Sequence, residues 1–108
     1  AKATFRKAQA DERSGRDEVI LTLHQTWANF QNAVDQVNVQ SKFLGSAQAR
    51  SKIGEAQYSN GLISFDDWII IEDTLVRAEK SFIEAQAQAL SAEADWVQAK
   101  GGTVENEN

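Results

Sequence analysis

The chain has 108 residues, with eleven Lys and Arg against sixteen Asp and Glu, a formal net charge of −5. That balance excludes nucleic acid as a partner, because phosphate recognition needs a basic footprint, and it excludes a polybasic membrane-surface role. Cysteine, proline and methionine are all absent, which removes disulfides, thiolate metal sites and cysteine nucleophiles and leaves no proline to break a long helix.

The longest apolar run, Trp68-Ile69-Ile70-Ile71, is far below the roughly 20 residues of a membrane-spanning helix. No secretory leader is expected in this stretch, which therefore gives no direct address. Without an initiator Met, it is expected to be a processed or excised piece of a longer protein. Its Ala and Gln content is that of long helices.

Residues 1–16 are polar and charged, and either extend the first helix or fray. The first helical pattern runs from about residue 17 to 58, with a start as early as residue 4 allowed. Its apolar stripe is Ile20, Leu23, Trp27, Phe30, Val34, Val37 and Leu44, with Ser41 in the one polar slot. The steps alternate between three and four, a heptad repeat that predicts left-handed supercoiling. The same register continues as Ala47, Ser51, Gly54 and Tyr58. Gly45 and Gly54 each cost a helix interior about 1 kcal/mol relative to Ala, which points to a close helical neighbour at this end.

Residues 59–64 form the predicted turn. Asn60-Gly61 is a helix stop, with Gly61 suited to the left-handed position after the last turn. Ser64 suits the N-cap of the next helix, with Asp67 three residues on as in a capping box. Asp66 and Asp67 also favour the positive end of the helix dipole. So short a connection makes the two helices antiparallel. Leu62 and Ile63 break the pattern, because polar residues are expected at a turn. Either they fold back on Tyr58 and Phe65, or they are a contact site.

The second helix is predicted over residues 65–100. Its stripe is Trp68, Ile71, Leu75, Ala78, Phe82, Ala85, Ala89, Ala92 and Trp96. A second seam, Ile69, Val76, Ile83, Leu90 and Val97, recurs every seven residues beside it. One stripe pairs with the first helix, and the second wants a further helical neighbour. Gly101-Gly102 should stop this helix, and residues 103–108 are expected to be a disordered tail. The fold class is therefore all-α: a long antiparallel coiled-coil hairpin over residues 1–102, self-associating into a helical bundle.

No enzyme is expected. His24 has no second ligand at metal spacing, and Asp66, Asp67, Glu72 and Asp73 lie on a helix rather than in a calcium loop. Trp27, Trp68 and Trp96 sit on heptad stripes, so packing explains them. No catalytic triad or glycine-rich phosphate loop is present, and neither cofactor nor metal is expected.

The turn and its flanks, Gln57-Tyr58-Ser59-Asn60-Gly61-Leu62-Ile63-Ser64-Phe65-Asp66-Asp67-Trp68, resemble the periplasmic tip of the TolC-type outer membrane efflux proteins. There a Tyr followed by a Gly-Leu-x-Ser/Thr segment joins two long coiled helices. Glu84-Ala85-Gln86-Ala87 through Ala99-Lys100-Gly101-Gly102 is similar to that family's closing helix, and the resemblance covers residues 19–102. It implies the periplasmic hairpin of a trimeric outer membrane duct in a Gram-negative cell. The hairpin tip would dock onto a periplasmic adaptor protein that links the duct to an inner membrane pump. Carried over by position, Gly61, Leu62, Ile63 and Ser64 become the docking segment. Asp67 matches the first of two entrance carboxylates and equally caps its own helix. The second would fall at Ile70, which is not acidic, and Asp66 and Asp73 are out of register. The alternative reading is a coiled-coil module that dimerises into a four-helix bundle.

Overall fold

The computed structural model describes the backbone of residues 2–107 and the side chains of residues 15–101. The chain is all-α: α1 (Lys2–Ser59) and α2 (Phe65–Glu107) pack antiparallel as a helical hairpin. The inner helix ends fall where the turn chemistry places them. At the outer ends, α1 begins at Lys2, the earlier of the starts the pattern allowed, so residues 2–16 extend the first helix, while α2 continues past Gly101-Gly102 to Glu107. The stop at Lys100 and the disordered tail over 103–107 are thus corrected to helix, while Asn108 lies outside the described residues. Two glycines lower helix propensity by about 1 kcal/mol each, but they remove no backbone donor, and no proline follows to end the helix.

The chain divides into two compact units, one of Ala1–Gln31 with Leu90–Asn108 and one of Asn32–Ala89. In the first unit, Trp27 and Phe30 of α1 meet Trp96 of α2, with ring centroids 4.8 and 6.0 Å away. The Lys100 ammonium lies 4.9 Å from the Trp96 ring centroid, a cation–π contact. Phe30 and Trp96 pack on the inward line as their heptad positions predict, while Trp27 touches Trp96 from beside that line and is partly exposed.

The second unit holds the turn. Its buried residues are small apart from Ile71: Ala47 and Gly54 on α1, and Ala78 and Ala85 with Ile71 on α2, Ala78 being fully covered. Small side chains at inward positions let two helix backbones approach. Gly54 shows the closest approach. A Cβ there would stand 3.0 Å from the Ile71 Cδ1 and 3.4 Å from the Trp68 ring. Gly45 has nothing within 4 Å, so the expectation of a close neighbour holds at Gly54 and fails at Gly45. Ser51 of α1 donates a hydrogen bond of 2.5 Å to the Glu72 carboxylate of α2, joining the helices two turns below the tip.

On α2 every residue of the predicted stripe is buried or half-buried. On α1 the inward line is partly different. Leu23, Phe30, Val37 and Leu44 hold, but the alternate positions are Val19, Thr26, Ala33 and Gln40 rather than Ile20, Trp27, Val34 and Ser41. At three of these four places the larger residue, Ile20, Trp27 or Val34, stands one position off and is exposed. Apolarity picks out the bulkiest side chains, whereas the seam is set by what fits between two backbones, which favours the smaller residue next door.

Candidate functional site: the turn and the apolar columns

The turn is built by two caps. At the end of α1 the Leu62 amide donates to the Gln57 carbonyl at 2.7 Å, and the Gly61 amide donates to the Tyr58 carbonyl at 3.0 Å. This pair of bonds is the Schellman arrangement, which needs a left-handed residue between them. Gly61 supplies it with φ +75°, where a Cβ would be strained. At the start of α2 the Trp68 amide donates to the Ser64 carbonyl at 3.0 Å, and the Asp67 amide donates to the Ser64 hydroxyl at 3.1 Å. Ser64 is thus the N-cap, as its sequence position predicts.

Leu62 follows from the first cap. The residue after a left-handed glycine commonly packs back on the last helical turn, yet Leu62 is 72% exposed and Ile63 is half-buried. The fold-back reading therefore fails for Leu62. Tyr58 lies against Phe65, with centroids 6.1 Å apart, and stacks on Trp68 at 6.0 Å with planes 10° apart. Both Tyr58 and Phe65 still expose a large share of their surface. Gly61, Leu62, Ile63 and Ser64 are contiguous in the turn, so the structure keeps the candidate docking residues together at one end of the unit.

Asp67 is exposed on the first turn of α2, beside exposed Asp66. Its amide takes part in the cap. Ile70, at the position of the second carboxylate implied by the resemblance, is a 64%-exposed apolar residue, and Asp73 is held by Arg77 one turn along α2 at 2.9 Å. His24 is exposed. Among the described residues, no group of three or more His, Cys, Asp or Glu is placed to hold a metal ion, and no helix is long and apolar enough to cross a membrane.

The second seam of α2 lies open along its length. Ile69, Val76 and Ile83 in the turn-bearing unit, and Leu90 and Val97 in the other, are 47–68% exposed. A set of residues on α1 that the sequence reading passed over behaves in the same way. Val39, Phe43 and Ile53 are all more than half exposed. The spacing of Val39 and Ile53, two heptads apart, was the signal available. Exposed apolar residues thus leave both helices with surface for self-association or for a partner.

Compared with known protein families, curated proteins and solved structures, the chain matches none.

Proposed function

We propose that the chain is the periplasmic tip hairpin of a TolC-like outer membrane export duct, and that its turn docks onto a periplasmic adaptor protein. The observation that carries this reading is Leu62: a large aliphatic side chain held out to solvent by a turn with a cap at each helix end. A turn serving only to reverse the chain has no use for it, and an exposed apolar residue at a rigid apex suits a contact made by a protein partner.

The apolar columns support the same reading. A wall helix in a barrel touches neighbours beyond its own hairpin partner. In the turn-bearing unit the open apolar residues differ between the helices, Ile69, Val76 and Ile83 on α2 against Val39, Phe43 and Ile53 on α1. Two unlike surfaces suit side-by-side packing that closes into a ring, rather than the self-matching patch of a two-fold dimer. The role is passive: the helices form the wall, the tip seats on the adaptor, and the pump selects the cargo. In this reading the hairpin belongs to the periplasmic portion of a Gram-negative outer membrane protein. Asp67 would stand near the entrance, without the second carboxylate at Ile70 to complete an acidic pair.

A second reading rests on the open seam of α2. The same columns would bury themselves in a helical-bundle dimer, with no partner at the turn. The two readings separate at Leu62. In the full-length parent, Leu62→Glu or Gly61→Pro should abolish efflux while the protein remains in the outer membrane. Normal efflux in both variants would remove the docking assignment.

A further inference from the structure

We propose that Gly54 is a positioning residue for the tip: the lack of a side chain there seats Trp68 and Ile71 of α2 against the α1 backbone, and Trp68 carries that placement to Tyr58 beside the turn. Glycine is the poorest helix former after proline, so a buried glycine inside a long helix calls for a packing reason. Gly54 has one. A Cβ at this position would stand 3.0 Å from Ile71 Cδ1, 3.4 Å from Ile71 Cγ2 and 3.4 Å from Trp68 Cζ3. Gly45, nine residues earlier on the same helix, is exposed with open space around it.

The path outward is short. Trp68 touches the Gly54 site through one edge of its ring, and it stacks on Tyr58 with planes 10° apart. Tyr58 in turn meets Phe65, the first residue of α2. Gly54 and Tyr58 are also four residues apart on α1, which places them on one face of that helix. The caps fix the end of each helix separately, but none of their backbone bonds joins the body of α1 to the body of α2. What sets the helices against each other just below the turn is this packing, with the Ser51–Glu72 bond beside it. An alanine Cβ at 54 would crowd only Ile71 Cδ1, with Trp68 in ordinary contact at 3.4 Å; a larger, branched side chain would press on Trp68 as well and so move the ring that holds Tyr58.

The chain contains one tyrosine, so 3-fluorotyrosine incorporation gives a single fluorine resonance at the tip. Gly54→Val should shift or split that resonance by more than its linewidth, and Gly54→Ala, which crowds only Ile71, should do so by less, with helical circular dichroism retained. Gly45→Ala should leave it unchanged. A wild-type resonance in Gly54→Ala and Gly54→Val would overturn the proposal, since the side chain of Ile71 would then be absorbing the change alone. An equal shift in Gly45→Ala would overturn it too, because the resonance would be following helix stability rather than contact at 54. No adaptor enters this measurement, so its outcome is independent of the docking assignment.

Discussion

Gly54 of α1 lies so close to Ile71 of α2 that an added Cβ would meet the isoleucine Cδ1 at 3.0 Å. Gly45 on the same helix meets nothing. The two glycines therefore form a built-in comparison. Replacing a helix-interior glycine by alanine gains about 0.5–1 kcal/mol from propensity and from the unfolded chain. Gly45→Ala should show that gain in full, as a raised midpoint in urea with the slope unchanged. Gly54→Ala should show clearly less, or a net loss, because Ile71 must give by a few tenths of an ångström. Equal gains at both sites would mean that the contact at Gly54 is loose.

The turn should be sensitive at two positions for different reasons. Gly61 sits at φ +75° with open space around it, so Gly61→Ala should cost about 1 kcal/mol through backbone strain alone. Ser64→Ala removes the oxygen that accepts the Asp67 amide and should cost about 1 kcal/mol as a lost N-cap. Ser64→Asp should restore most of it. Urea titrations of the three variants read both effects.

The open seam of α2 should govern association rather than folding. Ile83 is 64% exposed and Ala78 is fully covered. Ile83→Glu should therefore leave helicity and unfolding midpoint at low concentration close to wild type, while sedimentation shows weaker self-association. Ala78→Glu should unfold the pair, since it places a charge between the helices. A wild-type sedimentation profile for Ile83→Glu would show that the seam is not what copies of this chain use.

Much of this was legible in the residues, for a physical reason. The turn rests on local chemistry, a left-handed glycine and a serine cap, and local chemistry is written in adjacent positions. The α2 stripe was legible because large and small residues recur there with one period. The α1 line was half misread because Ile20, Trp27 and Val34 are more apolar than Val19, Thr26 and Ala33, and polarity does not report which residue fits a narrow gap. Gly45 and Gly54 look alike in sequence and differ in what lies across from them. The outer end of α2 escaped because Gly101 and Gly102 weaken a helix without forbidding it. At the candidate site, the exposure of Leu62 removes the fold-back reading that its apolarity left open.

The central claim is that the turn is a docking end, and the absence of cysteine in this chain allows a direct measurement. Ile63→Cys in the full-length parent, with any cysteine elsewhere removed, places one thiol at the turn, and cross-linking in intact cells then reads its neighbour. The account predicts an adduct with a periplasmic adaptor protein. Failure to trap any adaptor, with the protein found in the cytoplasm, would contradict it and leave a coiled-coil module whose apolar turn has another use.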